Sequence, residues 1–441
     1  MYTRPNPRFS IQWADLPPEL LDIIAKRLEA AIDVRRFRGV CRSWRSSTTP
    51  HKFPIIKLPF FNKYQRSGRQ HSGGHFILTQ RIVYRIRLPN STNPDFWLVK
   101  LEHSDDGKVR IINPVTHRKI KTEAVEMPKV LNTLDFDISE VSKGYALRYV
   151  NPSNRSDDYY DFRYVKKVAA SVNAETGEYV VLIIDLRNRL LRITSDRKKW
   201  TLFHGGDGGY NFAAAKFYDV AMVKGKLCAT DASGDIWSFD SKFGRTIGRY
   251  EGDRSLKRRM VEFSDGELVL VEEMGKVDGP IDQIFHVKQP FVDVSVYALS
   301  KLLKKWTDIK ETHGCIVVVG DDCSYSIPMK EFNAARVFYT DRYSFLQSEI
   351  VAGAEEYTCF ECDCREGVCN CLHVLETVVA ADEVANDNVK RVFAGFYGQY
   401  IGVYESGTRE TGTALMFPEY ASIFWPPPAW LSHRPTVGAS A

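Results

Sequence analysis

No stretch of this chain approaches the roughly 18 consecutive apolar residues that a membrane-spanning helix requires. The opening residues, Met1-Tyr2-Thr3-Arg4-Pro5-Asn6-Pro7, lack the apolar core of a secretory leader, so an intracellular protein, cytoplasmic or nuclear, is expected. Cysteine is thin outside one segment. Cys41, Cys228, Cys315 and Cys323 are scattered among apolar residues like reduced core thiols, and the other five lie between Cys359 and Cys371, so no disulfide framework is indicated. Residues 1–90 hold 17 Lys and Arg against 5 Asp and Glu, a deficit of acid that raises the question of a nucleic-acid partner. That stretch contains no zinc-finger helix and no aromatic-basic pattern of an RNA-binding sheet, so its charge reads as solvated helix faces and linker.

Signals of catalysis are equally scarce. An enzyme needs a nucleophile beside a base, or carboxylates paired in a defined setting, and neither stands out. Asp321-Asp322 and Glu355-Glu356 read as solvated turns. His204-Gly205-Gly206-Asp207-Gly208-Gly209 is glycine-rich, but no Lys-Ser/Thr pair and no helical pattern follow, which argues against a phosphate loop.

What is present is an ordinary globular composition, 44% hydrophobic and 26% charged over 441 residues, enough for about two or three folding units. Helical signals come first. Pro17 and Pro18 suit a first helical turn, and Leu20, Leu21, Ile23, Ile24 and Leu28 recur at helical spacing. Asp33 is the next capping candidate, followed by the stripe Phe37, Val40, Cys41 and Trp44, with Arg35, Arg36, Arg38, Arg42 and Arg45 on the opposite face. Pro50 and Pro54 close the helical region.

From about residue 75 the period drops to two. Tyr84–Leu88, Phe96–Leu101, Tyr179–Leu186 and Phe291–Leu299 are β-branched or aromatic runs bounded by turn formers. The clearest unit is Tyr218–Val223, a turn at Lys224-Gly225-Lys226, Leu227–Thr230, a turn at Ser233-Gly234-Asp235, and Ile236–Asp240: an antiparallel meander. A strand, a polar turn and a second strand recur near Ile111, Leu191, Ile236, Val296 and Val403, compatible with a unit of about 40 to 55 residues. Serial meanders of that length describe a β-propeller, with a β-sandwich as the alternative. Trp200, Trp237, Trp306 and Trp425 read as blade core.

The stretch Trp13-Ala14-Asp15-Leu16-Pro17-Pro18-Glu19-Leu20-Leu21, then Ile24, Arg27-Leu28, Asp33, Arg36-Phe37-Arg38 and Val40-Cys41-Arg42-Ser43-Trp44-Arg45, resembles an F-box at nearly every position of that motif. More loosely, the rest resembles the plant F-box proteins whose C-terminal region is the propeller-like "domain of unknown function 295". That likeness is carried by the Tyr218–Asp240 meander, Val296–Trp306, Gly320–Ile327, Val337–Asp341 and Ile423–Leu431.

The expected fold is therefore α+β and multidomain: a small all-α F-box module over 12–50, a basic linker over 51–74, and a mainly antiparallel propeller-like recognition domain over 75–431. The resemblance implies a non-catalytic receptor that binds a Skp-type adaptor, and through it a cullin ubiquitin ligase, by Leu16, Pro17, Leu20, Leu21, Ile24, Leu28, Val40 and Trp44. The β domain would hold a target protein. A non-degradative scaffold is the alternative, and a nucleic-acid binder a weaker one.

One feature departs from the family. Cys359, Cys362, Cys364, Cys369, Cys371 and His373 crowd into a short segment that could supply four zinc ligands. It has no second Cys-x-x-Cys knuckle, and reduced thiols in a surface insertion are expected instead, with no cofactor.

Overall fold

The computed structural model describes residues 13–431 apart from a number of segments, the longest being 62–73, 151–164, 204–215, 276–291 and 341–400. The glycine-rich stretch at 204–209, Glu355-Glu356 and the Cys359–His373 cluster lie outside the described residues.

A 3-10 turn at Trp13–Asp15 leads into α1 (Pro18–Lys26), α2 (Ala31–Gly39) and α3 (Arg42–Ser46). The apolar stripe predicts a single helix capped by Asp33. The chain instead breaks it in two, and Asp33 sits inside the first turn of α2. Gly39 and β-branched Val40 are weak helix formers, and Cys41 turns fully extended to start α3. Phe37 and Trp44 nevertheless meet across the break, ring centroids 4.5 Å apart.

Among the described residues five separate sheets follow. The first holds β1 (Ile56–Pro59), β2 (His75–Arg87), β3 (Trp97–His103), β4 (Val109–Ile112) and β5 (Asp137–Val150). The long β2 pairs along its whole length with β5, and on its other side first with β1 and then with β3. The presence of β1 corrects the linker expected over 51–74: Ile56 and Leu58 are buried while Lys57 and Pro59 face out, a period-two pattern too short to read as a strand.

The second sheet is the meander β6 (Val165–Val172), β7 (Tyr179–Asp185), β8 (Leu190–Thr194), β9 (Thr201–Leu202), and the third is β10 (Phe217–Val223), β11 (Lys226–Asp231), β12 (Ile236–Phe239), β13 (Gly244–Gly248). The fourth is β14 (Lys257–Glu262), β15 (Leu268–Gly275), β16 (Val292–Leu299), β17 (Trp306–Asp308). The fifth holds β18 (Cys315–Val319), β19 (Ser324–Pro328), β20 (Arg336–Thr340), β21 (Ile401–Glu405) and β22 (Glu410–Thr413) in the order β19-β18-β20-β21-β22, with β18 and β20 parallel.

The sheets form a closed ring. Strands β5, β6, β10, β14 and β19 each end their sheet, and each contacts the next, with β19 returning to β5. Every interface between neighbouring sheets has its own apolar cluster: first with second around Phe76 and Ile183, second with third around Leu182 and Phe217, third with fourth around Cys228 and Met260, fourth with fifth around Val269 and Val317. The largest joins fifth to first and takes in Trp97, Phe338, Phe424, Trp425 and Leu431. This is a β-propeller, as the repeat predicts, and it has five blades; a two-sheet sandwich is excluded.

The tryptophans behave largely as expected. Trp200 and Trp425 are buried and Trp237 packs on a blade core, while the side chain of Trp306 is not among those described. The C-terminal segment helps close the ring, because Trp97 Nε1–H donates to the Phe424 carbonyl at 2.8 Å.

Candidate functional site

The helical module builds a small core of its own. Leu21 and Ala25 of α1 and Phe37 of α2 are buried, with Leu16, Ile24, Leu28 and Trp44 packed against them. Trp44 Nε1–H donates to the Trp13 carbonyl at 3.1 Å, which fastens the entry turn over α3. Pro17 precedes α1, and its carbonyl accepts the amides of Leu20 and Leu21.

The eight residues expected to bind an adaptor thus divide. Pro17, Leu20 and Val40 face solvent; Leu16, Ile24, Leu28 and Trp44 are half-buried; and Leu21 is fully enclosed within the module. Two exposed apolar residues join the outward set: Trp13, 70% exposed, and Ile23, 50% exposed, beside Leu20 at 46% and Val40 at 55%. Ile23 was legible, since it stands three residues from Leu20 and so shares its helix face. A helical module this small that covers its own core and still exposes four large apolar side chains presents a surface suited to a partner.

Part of the basic face of the second helical stretch is engaged within the molecule. Arg38 donates to the carbonyls of Arg45 and Thr48, and Arg45 returns a bond to the Arg38 carbonyl at 3.1 Å, clasping α2 to α3. Arg36 points to the propeller. The solvated faces expected from the sequence hold for Arg35, Arg42 and Arg45, while Arg36 and Arg38 are half-buried.

The second polar constellation lies where the ring closes. Asp322 accepts Lys100 Nζ at 2.6 Å and Arg81 Nη1 at 3.0 Å, and Arg81 Nε reaches Glu102 at 2.8 Å, all four groups buried. Asp321 meets His117 Nδ1 at 2.8 Å. The solvated turn expected at Asp321-Asp322 is thus corrected: both are buried, because blade one brings Lys100 and Arg81 to Asp322 and the His117 ring to Asp321. Burial alone would raise the Asp322 carboxyl pKa, but the charges of Lys100 and Arg81 outweigh it and hold it below the ordinary value.

Near the axis Asp219 of β10 binds Lys167 of β6 at 2.5 Å and the Met260 amide of β14 at 2.7 Å, tying three blades together. Burial pushes the neighbouring Cys323 thiol up to about 12. Among the described residues no group of three or more His, Cys, Asp or Glu could hold a metal.

A three-helix module with an outward apolar face, carried on a five-bladed antiparallel ring, defines an F-box protein with a β-propeller. The F-box domain profile matches residues 13–55 and the KIB1-4 beta-propeller profile matches residues 75–361, and the chain belongs to that propeller family. It is 24% identical to the F-box protein SKIP23 of Arabidopsis thaliana over 96% of each chain. With the Arabidopsis F-box protein At2g26160 it shares 23% identity over 73% of this chain and 92% of that one. Among solved structures, virginiamycin B lyase from Staphylococcus aureus covers 59% of this chain and 92% of its own at 12% identity, with a TM-score of 0.25 that carries no argument.

Proposed function

We propose that the chain is the substrate-recognition subunit of a Skp-cullin-F-box ubiquitin ligase. The F-box binds the adaptor, the propeller holds a target protein, and the chain itself is not catalytic. The observation that carries this is the outward set Trp13, Leu20, Ile23 and Val40 on a module whose own core is already closed. Leu16 and Pro17 at the entry turn and the outer edges of Ile24, Leu28 and Trp44 extend that surface, while Leu21 supports it from within. Such a receptor lowers no chemical barrier; it raises the effective concentration of a target lysine near a charged conjugating enzyme.

Titration of the full chain with a recombinant Skp-type adaptor tests the reading. Truncating Leu20 and Val40 together to Ala removes apolar area without opening a core, and the expected loss is about 2–4 kcal/mol, roughly 30- to 1,000-fold in Kd. An unchanged affinity in a variant that still folds would refute the adaptor face.

A further inference from the structure

The F-box is not tethered to the ring by chain connectivity alone. Ala31 and Ile32, at the start of α2, are buried in the same apolar cluster as Tyr84, Ile86 and Ile138 of blade one. Helix α2 has no cap of its own, since Ala30 offers no side-chain acceptor. The blade supplies one: Glu140 of β5 accepts the Ile32 amide at 3.3 Å, a carboxylate at the positive end of the helix.

One turn further on, the Arg36 guanidinium reaches three carbonyls of the segment entering β5. Nη1 donates to Ile138 at 3.1 Å, while Nη2 donates to Phe136 at 3.2 Å and Thr133 at 3.4 Å. A planar fork with fixed donors on two separate nitrogens spans these carbonyls, which an ammonium would have to meet from a single point.

We propose that Arg36 is a positioning residue: with the Ile32 plug and the Glu140 cap it locks the F-box onto blade one, so that adaptor face and recognition ring turn as one rigid body. The proposal rests on the ligase reading for its purpose but not for its geometry. An effective concentration is high only if the span between target and conjugating enzyme is held. The F-box side that carries Ile32 and Arg36 is occupied by the ring, while Leu20, Ile23 and Val40 stay in solvent, so locking and adaptor binding use different surfaces.

The test measures orientation directly in the full chain. Fluorophores are placed on exposed Glu19 of the F-box and exposed Lys199 of blade two through a non-natural ketone side chain, because nine native cysteines rule out selective thiol labelling. Single-molecule transfer should show one narrow distance distribution in the native chain. Arg36→Ala should widen it at least twofold, and Arg36→Lys, which keeps the charge but loses the fork, should widen it nearly as much. Adaptor affinity should stay within twofold, and thermal unfolding should show that the ring remains folded.

With adaptor, cullin ligase core, activating and conjugating enzymes, ubiquitin and ATP added, both variants should spread self-ubiquitination over more lysines of the chain. A distribution as narrow as native in Arg36→Ala, or full rescue by Lys, overturns the proposal. If the adaptor fails to bind even the native chain, the ligase reading falls, and the distance distributions still decide the locking.

Discussion

Asp322→Asn is the most direct test of how this ring closes. The substitution keeps the shape of the side chain and removes one charge, leaving Lys100 and Arg81 buried with a single carboxylate, Glu102, between them. Removing one partner of a buried ion pair costs about 3–5 kcal/mol, because the remaining charge is stranded in low dielectric. Unfolding entropy near 2.1 cal/mol/K per residue, applied to the 75–431 ring, converts this to a Tm lower by about 4–7 °C.

Scanning calorimetry at pH 7 measures the shift. Adding Lys100→Met to the Asn variant should recover part of it, since the stranded cation is gone, and that non-additivity marks the network as one unit. The pH dependence has a definite sign. The native Asp322 carboxyl lies below its ordinary value, so its contribution is complete above that value and is lost as pH falls through the lowered one. The gap between native chain and variant should therefore stay constant from about pH 8 to pH 5 and narrow only below about pH 4. A Tm drop under about 1 °C, or a gap that already closes between pH 7 and 5, would show that apolar packing alone closes the ring.

Two further substitutions probe the backbone. Gly144→Ala would place a Cβ 3.2 Å from Cys323 Cβ and 3.3 Å from the Asp322 carbonyl, forcing β5 away from blade five; a loss of about 1–3 kcal/mol is expected in urea unfolding, and a neutral result would mean that contact yields freely. Lys198 holds φ at 49° in the turn before Trp200, so Lys198→Gly should relieve strain and raise stability by about 0.5–1 kcal/mol, whereas a decrease would show that its side chain contributes to the turn.

Much of the ring was legible because its grammar is local. The strand-turn-strand starts near Ile111, Leu191, Ile236, Val296 and Val403 fall in β4, β8, β12, β16 and β21, one in each blade. Turns such as Lys224-Gly225, both at positive φ, advertise themselves through glycine. Blade one was harder to read, since its inner strand β5 comes last and β1 is only four residues long.

The helix break at Val40-Cys41 was hidden by an apolar stripe that continues through it. Asp322 was read as a surface turn because its partners are remote, Arg81 standing 241 residues away and Lys100 222. A polar pair after a glycine looks solvated unless the strand that will cover it is known. Glu140 escaped notice for the same reason, since a helix that lacks its own cap gives no sign of which distant carboxylate completes it.

The same long-range contacts bear on how the two roles proposed for this chain can be tested separately. Excising residues 12–50 removes Ile32 and Ala31 from the core they share with blade one and uncovers apolar surface around Tyr84 and Ile138. Burying an isoleucine is worth about 1.5–3 kcal/mol, so the excised ring is both less stable and more adhesive, and a loss of target binding in it has two explanations. Leu20 and Val40 do not share this defect, because neither touches the ring's core and both already face water. Because the F-box also covers part of blade one, point changes on its outer face test the proposed adaptor contact where deletion would disturb the ring as well.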